Sequence, residues 1–69
     1  MDKLKINGVE RDFPDGMPQN INELLKKLNL STETVVAELD SRIIERQNFA
    51  STSLKNGQSI ELIRLVGGG

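Results

Sequence analysis

The last three residues, Gly67, Gly68 and Gly69, are the part of this sequence whose chemistry is easiest to define. Glycine lacks a Cβ atom, so a run of glycines can thread an extended channel that is too narrow for other residues. We expect the Gly69 carboxylate to be the free end of the chain, where it can react as an acyl donor only after activation by a phosphoryl group. The tail therefore predicts a substrate that enters another protein's active site. A frayed terminus is the alternative, because disorder concentrates at chain ends.

The composition excludes several other kinds of chemistry. The 69 residues include no cysteine and no histidine, which removes disulfides, the usual zinc sites and the commonest nucleophile and general base near neutral pH. Nine basic and ten acidic residues give a net charge of -1, and Phe13 and Phe49 are the only aromatic residues. This balance is not typical of nucleic-acid binding. No apolar stretch approaches the roughly 18 residues of a membrane span. We predict a soluble, cytoplasmic protein without nucleic-acid or membrane partners.

The charged residues do not form a recognisable catalytic pattern. No phosphate-binding loop, dinucleotide motif or calcium loop is present. Asp12 with Asp15, or Glu10 with Asp12, could be proposed as a carboxylate pair, but solvated charges on a hairpin explain them. We assign no catalytic residue and no metal ligand, and we predict that the chain is not an enzyme. Any ATP or metal ion must then be brought by a partner.

A β-hairpin is predicted at the start of the chain. Residues 3–13 alternate between apolar and polar side chains, which is typical of half-buried strands. Asn7-Gly8 lies in the middle, and both residues tolerate the positive φ angles of a type I′ turn. The segment 14–16, Pro-Asp-Gly, then ends the second strand.

A helix follows, with sequence signals at both ends. Asn20 is suited to cap its N-terminus, and Glu23 stands three residues later, where its side chain can reach back. Asn29 is suited to a left-handed C-terminal position. The apolar residues of the helix fall at i, i+3, i+4 and i+7 and form one stripe: Ile21, Leu24, Leu25 and Leu28.

The second half of the chain predicts three more strands. Residues 35–39 alternate, Asp40-Ser41 forms a turn, and residues 42–44 form a short strand. A polar segment pinned by Phe49 leads to the last strand, residues 59–66. The predicted ββαβββ order suits an α+β fold in which one mixed sheet packs on one helix. We divide the chain into a body, residues 1–66, and a flexible glycine tail, residues 67–69.

The strand pattern divides the apolar residues between a core and an exposed face. The predicted core consists of Leu4, Ile6, Phe13, Ile21, Leu24, Leu25, Leu28, Ala37, Leu39, Ile60 and Leu62. If Ile60 and Leu62 point to the helix, Ile63 and Leu65 must point to the opposite face, since strand side chains alternate. With Val36 on a neighbouring strand they predict an apolar partner interface beside the tail. The alternative is that they are ordinary scattered surface residues.

The chain resembles the ThiS family of sulfur carrier proteins, which has the ubiquitin-like β-grasp fold. The resemblance runs along the whole chain, and it is carried by the Asn7-Gly8 hairpin, the helix segment 21–25, residues 36–46, Phe49, residues 56–61 and the ending 66–69. Three residues differ from the usual family pattern: Glu38, Asp40 and Glu45. They affect the details of the docking surface and leave the tail chemistry unchanged.

The resemblance implies a function in thiamine biosynthesis. A ThiF-like adenylyltransferase uses ATP and Mg²⁺ to adenylate Gly69, whose carboxylate then becomes a thiocarboxylate. A ThiG-like thiazole synthase takes the sulfur to form the thiazole. In this mapping Gly67 and Gly68 thread into the partner's active site, and Ile63, Leu65 and Val66 match the partner-facing end of the last strand. Val66 thus joins Val36, Ile63 and Leu65 in the predicted partner interface. The carrier itself binds no cofactor, and we expect it to be a monomer when free.

Two other functions share some of these features. The small subunit of molybdopterin synthase is a sulfur carrier of the same kind, but it is usually longer and commonly has a proline-containing segment before its diglycine. A ubiquitin-like modifier or interaction module would use the tail for isopeptide bonds, or for nothing. The mass of the modified chain distinguishes sulfur loading from conjugation.

Overall fold

The computed structural model describes residues 2–65, and it confirms the predicted order of elements for that part of the chain. Val66 and residues 67–69, and with them the predicted division into body and tail, lie outside the described residues. The elements are β1 (Lys3–Ile6), β2 (Val9–Asp12), α1 (Ile21–Lys27), β3 (Val35–Leu39), β4 (Arg42–Ile44) and β5 (Ser59–Arg64), with short 3-10 helices at Thr32–Thr34 and Arg46–Asn48.

The five strands form one mixed sheet in the order β2-β1-β5-β3-β4. β5 lies in the centre, parallel to β1 and antiparallel to β3. The two hairpins, β1 with β2 and β3 with β4, are antiparallel and form the two edges. With one helix packed on the sheet, this is the ubiquitin-like β-grasp fold that the sequence predicted.

Both hairpin turns use left-handed backbone conformations. Asn7 and Gly8 have φ angles of 49° and 82°, as the predicted type I′ turn requires. Asp40 and Ser41 have φ angles of 47° and 72°. Aspartate is among the few non-glycine residues that adopt this region readily. The Asp40 carboxylate also accepts hydrogen bonds from the Ser59 N–H at 3.0 Å and from Gln58 Nε2 at 3.1 Å, so this turn is tied to the start of β5.

Helix α1 has the predicted caps at both ends. The Asn20 side chain accepts a hydrogen bond from the Glu23 N–H at 2.9 Å. Glu23 Oε1 reaches back one residue further than a standard capping box and accepts from the Gln19 N–H at 3.2 Å. At the C-terminus Asn29 has a φ of 58°, and the Leu30 N–H donates to the Leu25 carbonyl at 2.8 Å. This contact satisfies a carbonyl that the helix leaves unpaired.

The core lies between the helix and one face of the sheet. Of the predicted core, Ile6 and Leu28 are only partly buried, and the others are buried. Val35 is buried beside them, as its inward position in the alternation indicates. Phe49 is 1% exposed and holds the polar segment onto the core, as predicted, whereas Leu54 is a buried residue that the pattern did not indicate. Its segment is irregular, so it has no periodicity to reveal which side chains point inward.

Candidate functional site

The last strand presents different residues to the two faces of the sheet. Ile60 and Leu62 are buried against the helix, whereas Ile63 is 50% exposed and Leu65 is 56% exposed. This confirms the predicted alternation of β5. Leu65 follows the strand and remains attached to the sheet, because its N–H donates a hydrogen bond to the Thr34 carbonyl at 2.6 Å. The strand itself ends at Arg64, earlier than the predicted residue 66.

The pairing of β3 with β5 extends this apolar surface. Val36, which is partly buried, lies directly opposite Ile63. The two side chains therefore share the face that the helix does not cover. Cross-strand neighbours of this kind are close enough to contact each other. The structure thus brings together Val36, Ile63 and Leu65, the described members of the predicted interface. Val66, the fourth member, and the tail residues Gly67, Gly68 and Gly69 lie outside the described residues.

Ile43 is a further member that sequence reasoning missed. Two isoleucines are adjacent in β4, and so short a strand has no alternation to show which of them faces the core. The register places Ile44 opposite the buried Ala37, and Ile43 opposite Glu38 on the open face. Ile43 is accordingly 71% exposed. We refer to Val36, Ile43, Ile63 and Leu65 together as the apolar patch.

A groove lies within the apolar patch. It has a volume of about 320 Å³, and its lining includes Val36, Ile43 and Leu65 as well as Glu45 and Arg46. Apolar side chains therefore form part of its wall and charged side chains form another part. Such a groove can receive an apolar side chain from a partner while its charged residues contact polar groups around it.

Two carboxylates adjoin the apolar patch on the same face. Glu38 on β3 lies directly opposite Glu61 on β5, and like charges in this position destabilise strand pairing. Between residues 2 and 65 the one ion pair within 4.0 Å joins Lys3 to Glu10, at 3.6 Å and on the exposed hairpin. Glu38 and Glu61 thus have no cationic partner in this part of the chain.

Residues 2–65 contain no group of three or more carboxylate, histidine or cysteine side chains that could hold a metal ion. Glu10, Asp12 and Asp15 are all exposed. Of the helices described between residues 2 and 65, none has the length and apolar character to cross a membrane. The apolar patch is therefore the candidate functional surface of this part of the chain.

A family model and two solved structures that are similar to this chain agree on one family. The model of the ThiS family matches residues 4–69. The crystal structure of the thiamine biosynthesis protein ThiS from Geobacter metallireducens has a TM-score of 0.83 and 32% sequence identity, covering 97% of this chain and 99% of that one. A solution structure of a thiamine biosynthesis protein from the same organism has a TM-score of 0.81 and 33% identity, covering 100% and 88%.

Two relatives differ in the share of their own length that is similar to this chain. A thiazole synthase of Paramagnetospirillum magneticum is 31% identical over 67 residues, which are 97% of this chain and 20% of that protein. The chain therefore spans about a fifth of the length of this relative. The ycf40 protein of Porphyra purpurea is 30% identical over 66 residues, covering 96% of this chain and 90% of its own length.

Proposed function

The chain belongs to the ThiS family, and from that premise we propose that it is a sulfur carrier protein that supplies sulfur for thiazole formation in thiamine biosynthesis. The observation that carries this proposal is the family match, which extends through residue 69 and so includes the terminal glycines. The apolar patch supports it, because Ile63 and Leu65 lie directly before the tail and offer an enzyme a surface to hold.

The proposed chemistry takes place at the Gly69 carboxylate. One carboxylate oxygen attacks the α-phosphorus of ATP, pyrophosphate leaves, and an acyl-adenylate forms. A hydrosulfide ion then attacks the carbonyl carbon, AMP leaves with the bridging oxygen, and the S–H proton is lost to solvent. The product is a thiocarboxylate, in which sulfur has replaced one oxygen. ATP and Mg²⁺ belong to the partner enzyme, and this chain contributes the reacting carboxylate and the surface that positions it.

Two partners follow from this sequence of reactions. A ThiF-like adenylyltransferase activates the carboxylate, and a ThiG-like thiazole synthase accepts the sulfur. The similarity to a fifth of a thiazole synthase supports the second partner, because in that relative a domain like this one and the synthase are parts of one polypeptide. A domain that must deliver sulfur to a synthase gains effective concentration when the two are joined.

Intact mass after co-expression with an adenylyltransferase of this type tests the proposal. We expect the mass to rise by the difference between one sulfur and one oxygen atom, and removal of Gly69 to abolish that rise while the circular dichroism spectrum stays unchanged. Sulfur loading of the shortened chain would contradict the assignment of Gly69. Attachment of the chain to another protein would instead indicate a ubiquitin-like modifier.

Transfer of the sulfur separates the two carrier pathways. The loaded chain is incubated with thiazole synthase and its small-molecule substrates, and separately with the large subunit of molybdopterin synthase and its pterin precursor. We expect the thiocarboxylate to be consumed only in the first reaction. Consumption only in the second would place the chain in the molybdopterin pathway.

A further inference from the structure

The central strand β5 is covered unequally on its two edges. On one edge β3 pairs with it along its length, from Leu39 opposite Ile60 to Val35 opposite Arg64. On the other edge β1 pairs with only its first residues, Lys5 with Ser59 and Ile6 with Ile60. β1 then turns away into the hairpin with β2. The second half of β5 therefore has no strand beside it on the β1 side within residues 2–65.

The Asn7 side chain extends this short ladder by one step. Its Oδ1 accepts a hydrogen bond from the Leu62 N–H at 2.7 Å, and its Nδ2 donates to the Leu62 carbonyl at 3.1 Å. The amide thus satisfies both backbone groups of Leu62, as a neighbouring strand would. The Asn7 N–H also donates to the Ile60 carbonyl at 3.0 Å. The ladder on this edge therefore ends at Leu62.

Strand geometry shows which backbone groups come next on that edge. The N–H and C=O groups of a residue in an antiparallel pair point either to the partner or away from it, and the direction alternates. Because Leu65 bonds to the β3 side through Thr34, and Leu62 bonds to the β1 side through Asn7, the Arg64 N–H and C=O point to the β1 side. Neither group has a hydrogen-bond partner among the described residues.

We propose that this open half-edge at Arg64 is a docking site for an extended backbone segment of the adenylating enzyme, which adds to β5 as a strand. The proposal rests on the proposed function, because it names how that enzyme holds the carrier. Asn7 sets the starting point: the added segment pairs with the Arg64 N–H and C=O, just beyond the point where the Asn7 side chain ends the ladder.

Four features of the chain favour a backbone segment as the occupant. The three terminal glycines have no side chains, so an enzyme can recognise them only through backbone groups, and Arg64, shortly before them in the sequence, offers backbone groups of the same kind. An unpaired edge is a ready template for another chain. β3 already holds Arg64 in an extended conformation through its pairing with Val35, so little conformational entropy is lost on docking. The site is also continuous with the apolar patch through Ile63 and Leu65.

N-methylation of single backbone amides, introduced by chemical synthesis of the 69-residue chain, tests this proposal. Methylation of the Arg64 amide removes one donor and blocks the edge, so the KM for the carrier in ATP–pyrophosphate exchange by the adenylating enzyme should rise by roughly tenfold. The matched control is methylation of the Glu10 amide. Since Phe13 bonds to Asp2 across the hairpin, the Glu10 N–H points outward from the opposite edge of the sheet, and its methylation should leave KM unchanged.

Amide hydrogen exchange of the unmodified chain provides a second measurement that does not depend on a variant. The Arg64 amide should exchange quickly in the free protein and at least about tenfold more slowly in the complex with the adenylating enzyme. Equal exchange in the two states, or an unchanged KM after Arg64 methylation, would overturn the docking site while leaving the carrier function intact. Slow exchange that depends on carrier concentration without enzyme would identify a second copy as the occupant and overturn it as well. If the adenylating enzyme shows no ATP–pyrophosphate exchange with the unmodified chain, the proposed function fails, and this inference fails with it.

Discussion

Asn7 performs two tasks at the scale of a single residue. Its backbone has a φ of 49° and reverses the chain in the first hairpin, while its side chain bonds to both backbone groups of Leu62. Such a turn residue needs only the first property, and glycine would provide it as well. The side-chain amide is therefore the part of Asn7 that connects the two ends of the chain, since Asn7 and Leu62 are 55 residues apart.

Replacement of Asn7 by glycine separates these two tasks. Asn7→Gly keeps the left-handed turn but leaves the Leu62 N–H and C=O without their partner. We expect the free energy of unfolding to fall by about 1–3 kcal/mol, as for a partly buried pair of backbone groups that loses its hydrogen bonds. Urea denaturation gives this value. Asn29→Gly is the control, because Asn29 also has a left-handed φ, 58°, and its side chain forms no hydrogen bond within residues 2–65. Equal stability of the two variants would show that the amide of Asn7 contributes nothing.

At the scale of secondary structure, the elements are short and depend on their ends. Helix α1 has only seven residues, too few for a stable helix in isolation. Its stability comes from burial of Ile21, Leu24 and Leu25 and from hydrogen bonds at its termini. In the sheet, the facing carboxylates Glu38 and Glu61 oppose the pairing of β3 with β5.

The N-cap can be tested by a single truncation. Asn20→Ala removes the side-chain oxygen that accepts the hydrogen bond from the Glu23 N–H. We expect a loss of about 1 kcal/mol in the free energy of unfolding, the usual value for a capping residue. The midpoint of urea denaturation measures it. Asn48→Ala is a suitable control, because Asn48 is exposed and contributes hydrogen bonds only through its backbone. A loss no greater than in this control would show that the cap does not stabilise the helix.

The opposed carboxylates predict a substitution that stabilises the protein. Glu38→Gln removes one charge from the pair with Glu61 while it keeps the size of the side chain, and we expect a gain of about 0.2–1 kcal/mol in low salt. The gain should shrink in high salt, because salt then screens the Glu38–Glu61 repulsion in the unsubstituted protein. Thermal denaturation at low and high ionic strength measures both effects. Glu33→Gln, an exposed carboxylate outside the strands, should change little. A loss of stability, or a gain that does not depend on salt, would contradict this account.

At the scale of the whole molecule, a two-layer fold leaves one face of its sheet uncovered. The helix packs on the face that carries Ile60 and Leu62, so the residues that alternate with them face outward. This open face is not uniform. Lys3 and Glu10 form an ion pair on the β1–β2 hairpin, whereas the apolar patch lies at the C-terminal end of β5 and on its neighbours β3 and β4. Leu65 in this patch is separated from the glycine tail by one residue in the sequence.

A charge within the apolar patch should weaken partner binding without unfolding the carrier. For Ile63→Asp we expect the Kd for the adenylating enzyme to rise roughly tenfold or more, because a buried interface would then contain an unpaired charge. The free energy of unfolding should change by less than about 1 kcal/mol, since Ile63 is half exposed. Isothermal titration calorimetry and urea denaturation give the two values.

Val9→Asp is the matched control for this experiment. Val9 is another exposed aliphatic residue, 69% accessible, but it lies in the edge strand β2 and outside the apolar patch. Its substitution should leave the Kd unchanged. If both variants bind equally well, the enzyme does not use the patch. If both bind equally poorly, the effect of Ile63→Asp is not specific to it.

Local features of the fold were determined by the sequence alone. Features that depend only on neighbouring residues can be predicted from the types of those residues. They are the Asn7-Gly8 turn, the Asn20 cap, the left-handed Asn29 and the bounds of β3 and β4. The alternation in β5 likewise separated Ile60 and Leu62 from Ile63 and Leu65, because side chains in a strand point to the two faces in turn. The family followed from the order of motifs along the chain.

Only the tertiary structure decided the features that depend on strand pairing. Elements that are distant in sequence determine three such features: the exposure of Ile43, the burial of Leu54 and the opposition of Glu38 and Glu61. The hydrogen bonds from Asn7 to Leu62 and the open edge at Arg64 arise because β1 is shorter than the strand beside it. A sequence pattern gives the periodicity of one strand, but it does not give the register and overlap between two strands, which are decided by how the whole core packs.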